Sequence, residues 1–150
     1  MATASNPLVF QGTLNRVRGS IIIPNFPELN VSASYLGEQG ISLSRSGSAT
    51  TALPTMTGQA TSPEVMQAVV VTVNLLRTQG LAAQYEAQIA LTTLLGDVTI
   101  YTDASTLGEY TVHNSYIENV GPLSFAGRDA GYVVTLGGFI AINNNLFDLT

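Results

Sequence analysis

The sequence predicts a mainly β domain, a β-sandwich or barrel-like fold, with one flanking α-helix. The strand prediction is firmest in Gln67–Leu76, where the run Val-Val-Val-Thr-Val is branched at Cβ and fits a pleated sheet better than a helix. After this run, Leu81, Tyr85 and Ile89 recur at every fourth position, which is typical of a helix that we expect to span about Leu81–Leu94. Most other segments alternate with period two or are rich in turn residues.

Further strands are predicted after the helix. Gly96 is expected to close the helix as its C′ glycine, and Val98–Tyr101 then resumes strand character. Tyr110–Val120 is predicted to form a long strand, and the last major strand is expected to begin at Tyr132. The pair Gly137–Gly138 in that last strand indicates a bulge or a close approach of another part of the chain.

The N-terminal half also has strand patterns. Gly12–Ile23 predicts a strand or a pair of strands that Pro24 ends. Val31–Tyr35 and Ile41–Ser44 both alternate apolar residues with serine. Because Gly37–Gly40 places two glycines around two polar residues, we expect it to join these strands as a hairpin turn.

Two segments lack a strong pattern. Met1–Asn6 is expected to be a flexible arm. The segment 45–62, which is rich in Ser, Thr, Gly and Ala, is expected to be a long loop with a possible short strand at Thr51–Met56. Loops of this length tend to be functional or to contact a neighbour, the alternative being a floppy surface insertion. Thr61–Glu64 has the residues of a helix start but allows at most one turn. With no repeat and no linker, residues 1–150 are expected to form one domain.

The composition points to association with other chains. Charged residues make up only 10% of the sequence and hydrophobic residues 45%, which favours burial of surface against other copies or partners. The chain has no lysine and a net charge of −5, so specific binding of nucleic acid is not expected. The alternative is that the acidity merely keeps the protein soluble.

Few residues are suited to catalysis or metal binding. Cysteine is absent and His113 is the single histidine, mid-strand and far from any paired carboxylate, so we expect neither an enzyme nor a cofactor. Asp97, Asp103 and Glu109 lie near one turn and would be the candidates for a cation site, although scattered acids in turns are commoner, and no metal is expected. No apolar run is long enough for a membrane span and no secretory signal is evident, which predicts a chain kept in a cytoplasm.

Several stretches resemble one family, the tail tube proteins of contractile-tailed bacteriophages. The resemblance lies in Thr61–Gln79, in Leu94–Asp97 after the helix, and in Ile117–Tyr132. The resemblance covers about Gly19–Asn143. It consists of the order of the segments and their local sequence, and it includes no catalytic signature.

The resemblance implies a β-sandwich with one helix that forms hexameric rings, stacked into the hollow inner tube of a phage tail. The tube would contact tail sheath, tape measure and baseplate proteins, and would be a virion component assembled in the host bacterial cytoplasm. Phage DNA would pass through its lumen without specific binding when the sheath contracts. The long loop would bridge successive rings, with Arg45, Pro54 and Met56 as contact candidates. The lumen-facing candidates are hydroxyl- and amide-bearing residues in two alternative sets, between which alternation alone does not decide: Ser32, Ser34, Ser42 and Ser44, or Thr72 and Asn74.

Two other functions fit the same sequence. The first is a secretion-system tube, which has a similar fold and carries effector proteins. The second is a β-sandwich ligand-binding module, which would present exposed aromatic platforms. The chain has no tryptophan, and most of its tyrosines lie within alternating strands.

Overall fold

The computed structural model describes residues 18–78, 80–103, 107–121, 128 and 131–147. The expected arm Met1–Asn6 lies outside these residues. Eight strands and two α-helices follow one another in the described part: β1 (Gly19–Ile22), β2 (Leu36–Arg45), β3 (Thr50–Pro54), β4 (Gln59–Pro63), β5 (Met66–Leu76), α1 (Leu81–Leu91), β6 (Leu94–Thr102), β7 (Tyr110–Val120), β8 (Gly131–Ala141) and α2 (Asn144–Phe147).

Six of the strands form one nearly closed, barrel-like antiparallel sheet in the order β1-β6-β7-β8-β5-β2. The two edge strands, β1 and β2, face each other across the remaining gap, where the Gly19 backbone approaches the Ile41 side chain. Strands β3 and β4 form a separate two-stranded sheet. The prediction of a mainly β, barrel-like fold is therefore confirmed.

The barrel interior is filled by alternate residues of each strand. In β5, Val69, Val71, Val73 and Leu75 are almost fully buried, whereas the residues between them face outward and are partly accessible. This alternation follows from the period of two along a strand. Burial of each such aliphatic side chain contributes about 1.5–3 kcal/mol, so β5 is a main source of the stability of the sheet.

Helix α1 packs across one end of the barrel. It leaves β5 after Leu76 and returns to the sheet at Leu94 in β6, on the far side of β7 and β8. The side chain of Tyr85, a residue of α1, is fully buried, and its hydroxyl donates to the Leu29 carbonyl oxygen at 2.9 Å. Leu29 ends a short 3₁₀ helix, Pro27–Leu29, so the helix and this turn close the same end of the core.

The expected end of α1 was wrong by three residues, and Gly96 does not cap it. The helix ends at Leu91 because the backbone of Thr92 is extended, although the Thr92 N–H still makes the last helical hydrogen bond, to the Gln88 carbonyl. Gly96 instead lies within β6, at φ +80° and at an irregularity of the β6–β7 register. The Asn25 amide occupies the space that a Gly96 side chain would need.

Two expectations for the N-terminal half were wrong. No hairpin turn forms at Gly37–Gly40, because β2 runs through it as one irregular strand. Gly40 has φ +65°, and the Asn74 amide donates to its carbonyl. The segment expected to be a strand, Val31–Tyr35, ends as a 3₁₀ helix. Within Gly12–Ile23, β1 covers Gly19–Ile22, and Arg18 is the first described residue.

The long loop expected at 45–62 was also wrong. After Arg45 and a short connection, this segment forms the β3–β4 hairpin, which places the expected short strand at Thr50–Pro54. The helix start expected at Thr61–Glu64 is absent because Gln59–Pro63 pairs with β3. The later strands follow their predictions: β7 has the expected bounds, and β8 extends from Gly131.

Candidate assembly surface

The most exposed element is the hairpin formed by β3 and β4, Thr50–Pro63. Every side chain from Thr50 to Ser62 is exposed, and the two strands make no extensive contact with any other described element. No charged residue occurs between Ser46 and Pro63. Monomeric proteins usually protect such exposed strand edges with charges, so this hairpin has the properties of a segment that pairs with another chain.

Hydrogen bonds hold the two sides of the hairpin together at its base and at its tip. The Glu64 backbone N–H donates to the Ala49 carbonyl at 3.0 Å, and the Thr51 hydroxyl donates to the Glu64 carboxylate at 3.0 Å. At the tip, Thr55 N–H donates to the Gly58 carbonyl at 2.8 Å. The hairpin is therefore a two-stranded projection that connects β2 to β5 and is closed by hydrogen bonds at both ends.

The three residues expected to make ring contacts do not lie together. Met56 is fully exposed at the hairpin tip, and Pro54 is the last residue of β3. Arg45 ends β2, where its guanidinium donates to the Gln67 side-chain oxygen at 3.3 Å. Arg45 therefore lies at the end of barrel strand β2 and is not part of the projecting hairpin.

The lumen candidates separate into two groups. Ser42 lies opposite Thr72 in the β2–β5 register, and Ser44 and Asn74 share their outward face. Sequence alternation had left these as two sets, and strand pairing joins them into one surface. Ser32 and Ser34 are elsewhere, before and within a 3₁₀ helix, with their hydroxyls 2.9 Å apart.

Where β2, β5 and β8 pair regularly, their outward face has no charged side chain, whereas the exposed Glu38 lies in the irregular part of β2. This face combines small apolar residues with hydroxyls, because Thr72 also lies opposite Thr135 of β8. At its β7 border, the rings of His113 and Phe139 lie 5.7 Å apart. The outward residues of the three strands are Ser42, Ser44, Met66, Ala68, Val70, Thr72, Asn74, Leu76, Val133, Thr135, Gly137, Phe139 and Ala141.

A groove of about 1260 Å³ runs along the gap between β1 and β2. Its lining includes Leu36, Ile41 and Leu107 together with the aromatic rings of Tyr101 and Tyr110. The groove is the open part of the barrel, and an aromatic and aliphatic lining of this kind suits an apolar ligand or a chain segment.

The acidic residues considered for a cation are not brought together. Arg18 binds Asp103 through its backbone N–H and its Nε, both at 2.8 Å, and these bonds hold the pKa of the Asp103 carboxyl below its usual range. Asp97 lies 3.4 Å from the His113 ring instead. Within the described ranges, no cluster of three metal-ligating side chains occurs.

A set of exposed apolar residues was not predicted from the sequence. Leu53, Val65 and Met66 lie on or beside the hairpin, whereas Leu91 and Leu94 lie where α1 joins β6. In a sequence, such residues are indistinguishable from core residues of the same strands and helix. Alternation identifies them only once the buried face is known.

Comparison of the sequence with models of known protein families and with curated proteins gave no match. Among the described helices, none is long and apolar enough to cross a membrane.

Proposed function

We propose that this protein is a structural subunit of a phage tail tube, which assembles into stacked hexameric rings around a channel for DNA. The observation that carries the proposal is the uncharged, exposed hairpin Thr50–Pro63 at one end of the barrel. Together with the resemblance of Thr61–Gln79 and Ile117–Tyr132 to tail tube proteins, it supports a chain whose exposed surfaces are covered by further copies.

The hairpin would make the contacts between successive rings. Its exposed strand edges have unpaired backbone donors and acceptors, and its sequence has no charge that would oppose pairing. A projection of this kind adds little to the stability of one copy, because it buries almost nothing within its own chain. Its contribution is therefore expected in the assembly.

The outward face of β2, β5 and β8 would line the channel, with Ser42, Ser44, Thr72 and Asn74 among its polar residues. An uncharged wall suits the passage of DNA, since clustered Lys and Arg would hold the phosphates. The tube would be part of the virion tail, assembled in the host cytoplasm and in contact with sheath, tape measure and baseplate proteins. No catalysis and no cofactor are required for this role.

One observation favours a second candidate function. The groove between β1 and β2 is large enough for a small molecule, and Tyr101 and Tyr110 are among the residues that line it. A ligand-binding module would use it while remaining monomeric. A screen of glycans and small apolar ligands by thermal shift would raise the unfolding temperature in that case, and tyrosine-to-alanine variants would abolish the shift.

Negative-stain electron microscopy of the concentrated protein, with sedimentation, tests the tube proposal. We expect rings or hollow tubes. Because Ala49 and Glu64 are hydrogen-bonded, an Asn-Gly turn can replace Thr50–Pro63 without moving the barrel. This deletion variant should stay folded and soluble but form no long tubes, whereas the control Thr61→Ser should assemble normally.

Two results would count against the proposal. Normal polymerisation of the deletion variant would show that the hairpin has no part in stacking. A monomer at every concentration, together with a ligand-dependent shift in unfolding temperature, would favour the binding module.

A further inference from the structure

Among the described strands, β2 has a strand partner on one side only. Its residues 41–45 pair with β5, whereas its opposite edge borders the groove, whose lining includes Leu43 and Arg45. Across the groove, Ile21 of β1 already exchanges two backbone hydrogen bonds with Val31. The free edge is therefore that of β2, and an edge of this kind can pair with a further segment of chain.

The direction of β1 determines where the chain before it runs. Five antiparallel pairings separate β1 from β2 in the sheet order, so these two strands are themselves antiparallel. From Gly19, which lies beside Ile41, the chain toward the N-terminus therefore runs in the same direction as β2 after Ile41. Arg18, the first described residue, also lines the groove. Residues 1–17 thus join the described chain inside the groove.

Hydrogen bonds with Asp103 fix the path of the chain at Arg18. The Arg18 backbone N–H and Nε donate to the Asp103 carboxylate, both at 2.8 Å, and the Asp103 N–H donates to the Arg18 carbonyl at 3.2 Å. Because Gly19 lies opposite Thr102, these bonds extend the β1–β6 register by one residue. The strand path of β1 therefore continues past Gly19, alongside the free edge of β2.

The residue types before β1 suit the space beside this edge. Since Gly19 lies next to Ile41 in antiparallel strands, a continued β1 places Val17 beside Leu43. Side chains alternate between the two faces of a strand, so Val17 would share the inward face of the fully buried Ile21. Leu43 packs against the same core and is only partly buried. The pairing would therefore bring two apolar side chains together in the groove.

We propose that residues 15–17 occupy the groove as a continuation of β1, pairing with residues 43–45 of β2 and closing the barrel. The occupant is the protein's own chain, because a segment joined to the groove at Arg18 has an effective concentration on the order of millimolar. This proposal does not depend on the tube function. It also opposes the binding module, because a groove filled by the chain is closed to a separate ligand.

A disulfide tests the position of Val17, because the chain has no cysteine of its own. The test variant combines Val17→Cys with Leu43→Cys. The control combines Val17→Cys with Gln39→Cys, which also lines the groove but lies beyond Ile41 on the side away from Val17. Both full-length proteins are oxidised at a concentration where sedimentation shows single copies. Because only neighbouring residues reach disulfide geometry, peptide mass spectrometry should find at least about tenfold more intrachain disulfide in the test variant.

Each outcome decides the proposal. An intrachain disulfide in the test variant alone supports it, whether or not the protein forms tubes at higher concentration. Equal amounts in both variants, or none in either, would show that Val17 does not lie beside Leu43. A disulfide between two chains would place this segment on a second copy, and closure of the barrel by the protein's own chain would then be wrong.

Hydrogen exchange of the protein without cysteines gives a second test. Alternate backbone N–H groups of an antiparallel strand point away from its partner, so those of β2 that turn away from β5 point toward the groove. Pairing with residues 15–17 should make these groups exchange slowly in the wild type. Arg16→Pro disrupts such a strand and should speed this exchange at least about tenfold, whereas Ala4→Pro should leave it unchanged. Fast exchange at this edge in the wild type would overturn the proposal.

Discussion

At the residue scale, the adjacent glycines of β8 differ in how much room they leave. A side chain at Gly137 would meet the Tyr116 ring, 2.5 Å from its hydroxyl oxygen. A side chain at Gly138 would overlap a methyl group of Val112 and lie 2.9 Å from the His113 carbonyl oxygen. Tyr116 is partly exposed and able to rotate away, but the His113 backbone cannot, so the two positions have different tolerances.

We therefore predict that Gly138→Ala lowers the free energy of unfolding by about 1–3 kcal/mol through overpacking. Gly137→Ala should cost less than about 1 kcal/mol, because the Tyr116 ring can move. Urea unfolding at neutral pH measures both. Gly58→Ala is the matched control, since nothing lies within 4 Å of its added methyl group, and it should change the free energy by at most about 0.5 kcal/mol.

A Tyr116→Ala background refines this comparison. There, Gly137→Ala should become nearly neutral, whereas the cost of Gly138→Ala should persist. Equal costs at both glycines, or wild-type stability with valine at both positions, would contradict the close approach of β7 and β8.

At the element scale, α1 is attached to the core largely through Tyr85. Its hydroxyl is the buried donor to the Leu29 carbonyl, and burial raises the pKa of Tyr85 far above its usual value. Burial, reinforced by the negative charge of Glu86, also raises the pKa of Tyr132 to about 12. Both shifts favour the neutral phenol in the folded state. The folded state therefore loses stability at alkaline pH.

We predict that Tyr85→Phe lowers the free energy of unfolding by about 1–2 kcal/mol at pH 7, because the Leu29 carbonyl loses its donor. The stabilisation from neutral Tyr85 is complete below about pH 10, which is the pKa of a tyrosine in the unfolded chain. At higher pH the stabilisation is lost, because the unfolded chain releases the proton while the folded chain keeps it. The difference in free energy of unfolding between the wild type and Tyr85→Phe should therefore decrease by about 1 kcal/mol between pH 7 and pH 11.

Chemical denaturation at several pH values measures this difference. Tyr101→Phe, at an exposed position, serves as the control and should leave stability within about 0.5 kcal/mol at pH 7. An unchanged gap at pH 11 would mean that Tyr85 is not the group responsible for alkaline loss.

Elements that bury one face against the core can be predicted from sequence, whereas elements that bury little cannot. The run Val69–Val73 and the fourfold spacing from Leu81 to Ile89 report buried faces, so β5 and α1 were located within a few residues. The hairpin Thr50–Pro63 buries almost nothing and has no such pattern. The strand form of its residues depends on β2 and β5 holding its ends together, which is a long-range constraint. Gly96 was misread because a positive φ serves a strand irregularity as well as a helix end.

The same limit applies to the candidate site. Ser42 and Thr72 were both predicted as lumen-facing candidates. That they lie side by side on one surface depends on the β2–β5 register, which the sequence does not give. The exposed residues Leu91 and Leu94 have no distinguishing feature in the sequence.

At the scale of the whole molecule, the few charges are absent from the surfaces assigned to assembly. The chain has a net charge of −5, yet the hairpin and the regularly paired part of the outward face of β2, β5 and β8 have no charged side chain, and Glu38 lies in the irregular part of β2. The association is therefore expected to depend on burial of apolar surface and on strand pairing, with the net charge acting only as a weak repulsion between copies.

This distribution predicts how assembly responds to salt. Between 50 and 500 mM NaCl, the concentration needed for tube formation should change by less than about threefold, and it should fall, because salt screens repulsion between acidic copies. Met56→Glu should raise that concentration at least about tenfold by placing a charge in the apolar contact, whereas Met56→Leu should assemble as wild type. Sedimentation of tubes across the salt series measures all three proteins. A tenfold rise in the wild-type concentration at high salt would mean that ion pairs hold the rings together, and an apolar contact of the hairpin would then be incorrect.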